Sequence, residues 1–158
     1  MSERWDAHFV HLPLAIAAMS KDPDTKVGTV IVGPDREIRS TGFNGMPRGV
    51  ADTKERLTNK ELKRELMIHA EVNAILNAAR IGTSLKGCTM YLCATDDGDE
   101  IWGGCPCHRC ALDVIQVGIT EIVALPFKTG PSRWKDSIEL SRKLLAECGV
   151  KYREIENV

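Results

Sequence analysis

The sequence predicts an α/β domain of three layers, α-β-α, in which one mixed five-stranded sheet carries helices on both faces. Three observations predict it. From residue 68 onward the patterns alternate α-β-α-β-α-β, the order that crossovers between parallel strands produce. Ahead of them, two strand patterns flank the turn sequence GPDRE and read as an antiparallel hairpin. An amphipathic N-terminal segment supplies a helix to cover one face.

The elements follow in order. Residues 5–20, WDAHFVHLPLAIAAMS, place Phe9, Leu12, Ile16 and Met19 near one helical stripe, and Pro13 predicts a kink or a restart. After the turn cluster SKDPDT come strands over 26–32 (KVGTVIV) and 38–43 (IRSTGF), then an irregular loop, NGMPRG, over 44–49. Residues 50–66 read as one solvated helix supported by Glu/Lys spacing. A break at 66–68 starts a new helix close to His69. It ends at Gly82, a natural C-cap, with Val72, Ile75, Leu76 and Ala79 as its apolar face. A buried-type strand (88–94), a polar loop (95–104), a helix from Cys107, a strand (121–126), a helix (135–148) and a short strand (150–155) complete the chain.

At 158 residues the chain reads as a single domain, 1–158, able to bury a core without staples. Its net charge of −1 argues against a dedicated nucleic-acid binder and permits a small anionic substrate. No apolar run approaches the roughly 20 residues that span a bilayer. The start MSERWDAHF lacks a secretory core, so a cytoplasmic location is expected. Six cysteines in such a chain suggest metal binding or free thiols more than disulfides.

The densest chemistry lies in GCPCHRC, residues 104–110. Cys107 and Cys110 share one helix face at i and i+3. Pro106 fits the start of that helix, where positive partial charge favours thiolates. Zinc takes four ligands, so two cysteines do not complete a site. HAE at 69–71 is the candidate third source. In mid-helix, residues i and i+2 point apart, whereas at a first turn both reach a point off the helix end. His69, Cys107 and Cys110 would then hold Zn2+ and leave one position open, the catalytic arrangement. Glu71 is left over as a proton carrier.

The remaining candidates have plainer readings. Cys105 would compete for the metal but sits across Pro106 from the pair, and His108 should face away. Cys88, Cys93 and Cys148 read as packing thiols, and His8 and His11 as structural. Two other classes stay open: a structural zinc with Cys105 as fourth ligand, and a redox pair Cys107–Cys110.

H-x-E followed by P-C-x-x-C is the signature of the zinc deaminases. Over about residues 5–155 the chain resembles the cytidine deaminase-like superfamily and, within it, the deoxycytidylate (dCMP) deaminases. The resemblance is carried by SKDPDTKVGTVIV (20–32), TGFNGMPRG (41–49), HAEVNAIL (69–76), GCTMYL (87–92), PCHRCA (106–111) and IQVGI (115–119). It implies the cytidine deaminase-like fold and zinc-dependent hydrolysis of dCMP to dUMP and ammonia, supplying thymidylate synthesis. The alternative is a related substrate: a modified dCMP, cytidine or another cytosine compound.

The resemblance also assigns roles. Glu71 carries protons between the attacking water, N3 and the departing ammonia. The Ala70 backbone N–H and the carbonyl before the cysteines, at Pro106, hold the base edge. Val27 packs on the ring and Asn44 binds the deoxyribose 3′-hydroxyl. Lys26 is assigned to the phosphate, against a plain reading as a solvated lysine. Gly45, Arg48 and Gly49 are assigned to a regulatory nucleotide site between subunits of a hexamer, activated by dCTP and inhibited by dTTP. The plain reading there is a turn.

Two departures stand out. ATDDGDEIWGGC (94–105) intervenes where family members pass quickly into PCxxC, so Trp102, Asp96, Asp97, Asp99 and Glu100 should shape the pocket or a subunit contact. Residues 50–66 hold no Cys or His, so one zinc per chain is expected.

Overall fold

The structure, a computed structural model, describes residues 3–96, 101–126 and 134–156. The N-terminal segment is two helices, α1 (Glu3–Phe9) and α2 (Leu12–Ala17), with Pro13 in the first turn of α2. A proline costs no hydrogen bond there, so it restarts the helix rather than bending it. Phe9 is buried, and Leu12 and Ile16 pack against it. Met19 lies beyond the end of α2 and is 64% exposed, so it leaves the expected stripe.

Strands β1 (Thr25–Val32) and β2 (Ile38–Phe43) form the antiparallel hairpin. The charged segment is two short helices, α3 (Lys54–Thr58) and α4 (Lys60–Leu66), instead of one, and residues 50–53 are not helical. Asn59 is the reason. Its extended backbone ends α3, and its side chain accepts from the N–H groups of Glu61 and Leu62, capping α4.

Next come α5 (Ala70–Ile81), β3 (Thr89–Asp96), β4 (Ile101–Gly103) and α6 (His108–Gln116). The described chain ends with β5 (Glu121–Ala124), α7 (Lys135–Glu147) and β6 (Lys151–Glu154). The sheet runs β2-β1-β3-β5-β6, the five strands expected, with β1 antiparallel to β2 and β3 and the rest parallel. The segment expected as a loop adds a sixth strand: β4 pairs with the end of β3 in an antiparallel hairpin.

Strand alternation sorts the core into two clusters. Val30, Val32, Tyr91 and Val123 pack with Phe9 and Val10 of the N-terminal helical segment. Ile31, Met90 and Ile122 face the other way, onto Ala74, Ala78, Ala111, Val114 and Leu145 of α5, α6 and α7. The face of α5 that is buried is Ala70, Ala74 and Ala78, with Ile75 beside it; Leu76 and Ala79 are exposed, against expectation.

Close approach explains that preference for alanine. A Cβ on Gly42 of β2 would sit 2.4 Å from the Ala70 carbonyl oxygen and 2.4 Å from the Ala74 nitrogen. Helix and strand therefore touch through backbone, and larger side chains on that stripe would force them apart. Ser40 Oγ donates to the Ala74 carbonyl at 2.6 Å, and the Asn73 and Asn77 amides donate to the Phe43 and Thr41 carbonyls at 2.8 Å. Gly42→Ala should cost about 1–3 kcal/mol of stability by overpacking this contact. A urea-unfolding midpoint equal to the parent's would show that α5 is not seated this way.

Candidate active site

The site is assembled at two helix starts. The bridge between Gly45 and Ile68, with backbone bonds of 3.1 and 2.9 Å, ties the loop after β2 to the segment entering α5. It stops α4 from running on into α5. His69 is left as the extended N-cap residue, with Glu71 in the first helical turn. Cys107 is likewise the extended N-cap of α6, and its sulfur accepts from the Cys110 N–H at 3.5 Å.

The two starts converge. His69 Nδ1 lies 3.5 Å from Cys107 Sγ and 3.3 Å from Cys110 Sγ. All three donor atoms lie within 4.8 Å of one another. A tetrahedral zinc with ordinary bond lengths holds a nitrogen and a sulfur ligand about 3.6 Å apart. The donor set and its spacing therefore fit zinc, with Nδ1 as the imidazole ligand. Cys105 lines the adjoining cavity but is not part of this cluster.

Electrostatics follow the convergence. A hydrogen bond from Cys110, helped by His69, holds the Cys107 thiol down to about 4. The Cys107 side chain raises His69 to about 9, and the hydrogen bond with Cys107, with burial, pushes the Cys110 thiol up. Two thiolates this close repel, so without a cation one sulfur keeps its proton. A bound cation removes that conflict and deprotonates both. Glu71 is 4% exposed, and burial raises its pKa while the nearby His69 charge opposes the rise.

A cavity of about 420 Å³ opens over the cluster, in the usual size range for a small-molecule site. His69, Glu71 and Cys107 lie at its buried end. Val27, Leu92, Trp102 and Trp134 line it, and the exposed Lys60 and Arg64 stand at its rim beside Lys63, Asp22 and Asp24. Trp134 meets the His69 ring edge-on at 6.1 Å.

The cytidine and deoxycytidylate deaminase zinc-binding region matches residues 3–125. The chain belongs to that family. Human deoxycytidylate deaminase is 34% identical over 155 residues, covering 95% of this chain and 79% of its own. An uncharacterized deaminase from the luxG 3′ region of Aliivibrio fischeri is 35% identical over 153 residues, covering 96% and 93%. The crystal structure of dCMP deaminase from the cyanophage S-TIM5 with dCMP and dUMP superposes with a TM-score of 0.69 at 21% identity, covering 98% of this chain and 99% of that one. That likeness bears on the fold.

The structure brings some of the expected residues to the cavity and leaves others away from it. Ala70 is fully buried at the start of α5, Pro106 is buried before α6, and Val27 faces the cavity. Asn44 lines the cavity too, but it is 5% exposed and heavily engaged. Its Oδ1 accepts from the Val27 N–H at 2.8 Å, and its Nδ2 donates to the Thr25 carbonyl at 2.9 Å. Lys26 is placed away from the cavity. Strand alternation turns it, like Gly28 and Val30, toward the face covered by α2, and it does not line the cavity.

The structure separates the other candidates as well. Gly45 spends its backbone on Ile68, Arg48 donates to Asn77 Oδ1 at 2.5 Å, and Gly49 has φ 85° over open space. His108 faces α7, with Nδ1 at 2.9 Å from Ser137 Oγ. Cys88 and Cys93 are buried; Cys148 is exposed and is no packing thiol. Trp102 lines the cavity, while Asp97, Asp99 and Glu100 lie outside the described residues. Sequence reading missed Trp134 and the three cations of α4. Trp134 carried no readable signal, and the cations were hidden in a charge run.

His69, Cys107 and Cys110 would hold the zinc, which would supply an acidified water with a pKa of about 7. His69→Ala should abolish zinc retention in a purified, dialysed preparation. A carboxylate that moves protons without ligating the metal predicts that Glu71→Gln retains zinc at the parental stoichiometry yet loses about 10²–10⁴ in deamination rate. Metal analysis beside an ammonia-release assay checks both. Zinc lost from the Glu71 variant would make it a ligand instead.

Proposed function

We propose that the protein hydrolyses dCMP to dUMP and ammonia. One observation carries this: a buried carboxylate, Glu71, stands two residues from a convergent His-Cys-Cys cluster at the closed end of a nucleotide-sized cavity. The named dCMP deaminases among its relatives support the substrate. Glu71 takes a proton from the attacking water and passes one to N3 of the cytosine. It then passes another to the departing amine, so the ring gains oxygen at C4 and loses ammonia. Burial raises the pKa of Glu71, the direction that helps a carboxyl hold a proton before passing it on.

In this reading the Ala70 N–H and the carbonyl at Pro106 hold the base edge, and Val27 packs on the ring. Asn44 meets the sugar 3′-hydroxyl through its Oδ1, since an amide oxygen accepts two hydrogen bonds and the Val27 N–H takes one. The whole chain, 1–158, acts as one deaminase domain with one zinc. It works in the cytoplasm as a homo-hexamer, and the loop bearing Gly45, Arg48 and Gly49 binds dCTP or dTTP at a subunit boundary. Among the described residues no helix is long and apolar enough to cross a membrane.

Side-by-side assays with dCMP, deoxycytidine, cytidine and a single-stranded oligonucleotide test the substrate. The expected order is dCMP first by at least about tenfold in kcat/KM, with the oligonucleotide inert. A preference for an unphosphorylated nucleoside would defeat the nucleotide reading. Regulation predicts that dCTP raises and dTTP lowers the rate at subsaturating dCMP. Unchanged rate curves, or a monomer by light scattering, would remove the effector site.

A further inference from the structure

The cavity rim holds an arrangement whose charges are only partly used. Helix α4 turns Lys60, Lys63 and Arg64, spaced i, i+3 and i+4, to the cavity, while its acidic residues Glu61 and Glu65 do not line it. Lys63 is spent: its ammonium bonds Asp22 Oδ1 at 2.9 Å and Asp24 Oδ2 at 2.5 Å, and its side chain is only 13% exposed. Lys60 and Arg64 make no hydrogen bond or ion pair among the described residues. Like charges one helical turn apart oppose each other, and a bound anion between them would relieve that repulsion.

The geometry points to Lys60 and Arg64 as the clamp for the 5′-phosphate of the substrate, and so as the residues that select a nucleotide over a nucleoside. This rests on the proposed deaminase reading. A phosphomonoester carries between one and two negative charges at neutral pH, which two cations match. Arg64 supplies a planar fork for two phosphate oxygens and Lys60 a point charge. Glu71 and the His69–Cys107–Cys110 cluster lie at the buried end, where that reading seats the cytosine, so the phosphate is left at the exposed rim beside Lys60 and Arg64. Lys26 alternates to the other face of the sheet and does not line the cavity.

The test compares kcat/KM for dCMP with that for deoxycytidine in the full-length zinc enzyme. Lys60→Gln and Arg64→Gln should each lower the dCMP-to-deoxycytidine ratio about tenfold, and the double variant further. The raised KM for dCMP should also lose much of its dependence on salt. Lys60→Arg should keep most of the ratio, which a purely structural role for the position would not require. Circular dichroism and zinc content matching the parent exclude misfolding. A parent that prefers dCMP, paired with a folded double variant of unchanged ratio, overturns the clamp alone. A parent that turns over deoxycytidine as well as dCMP overturns the nucleotide reading and the clamp with it.

Discussion

The starts of α5 and α6 both lie at the carboxyl end of β3, and the chemistry of the site depends on that placement. A helix that crosses over to feed a parallel sheet runs against the strand beside it. The start of α5 therefore lies near the end of β3, and α6 begins where β3 and its hairpin finish. Open α/β sheets place their ligands at such strand ends. Here both helices arrive with an extended N-cap residue, His69 and Cys107, whose side chain projects off the helix start. Partial positive charge at each start favours thiolates and, beside them, the ionised form of Glu71.

The inserted segment tests how firmly that placement is held. The chain between β3 and Pro106 could have carried the cysteines away from His69. Instead β3 overshoots to Asp96 and β4 brings the chain back, pairing Gly103 with Ala94. The excursion opens and closes at one level of the sheet, so its length cancels. Gly104 completes the return: a Cβ there would lie 2.0 Å from the Leu92 carbonyl oxygen. The backbone presses on β3 as it turns into Pro106, and any side chain there would force the turn or the strand to shift. On its way the hairpin leaves Trp102 on the cavity wall.

Much of this was legible because it rests on local rules. Alternation and crossover order gave five strands and the antiparallel hairpin, and the demand that His69 and Glu71 serve one point forced a helix break where Ile68 pairs with Gly45. Other features were legible but read past. Asn59, two residues before Glu61, is an N-cap signal inside the charge run, and period-two alternation already set Lys26 opposite Val27. What could not be read was tertiary. The alanine face of α5 wins over the larger Leu76 because Gly42 brings a strand backbone within reach, a contact separated by some thirty residues in sequence. Trp134 reaches His69 only after α7 docks on α6.

The ion pair at the rim shows how an acidic turn can border a phosphate site. SKDPDT brings Asp22 and Asp24 to the cavity, where two carboxylates would repel an incoming anion. Asp22 is instead consumed. Its Oδ1 accepts from the N–H groups of Asp24 and Thr25 and from Lys63, and its Oδ2 lies 3.4 Å from the Asn44 amide. Burial lowers the pKa of the Lys63 ammonium, yet the bonds to Asp24 and Asp22 leave it raised, so here attraction outweighs desolvation. That separates the pair from exposed salt bridges, which contribute about 0–1 kcal/mol. The same bonds tie α4 to the turn that starts β1, and Asn44 ties that turn to Val27. The helix that carries Lys60 and Arg64 is thereby fixed to the strand that presents Val27 to the cavity, and the distance between the two ends of the cavity is set by the fold.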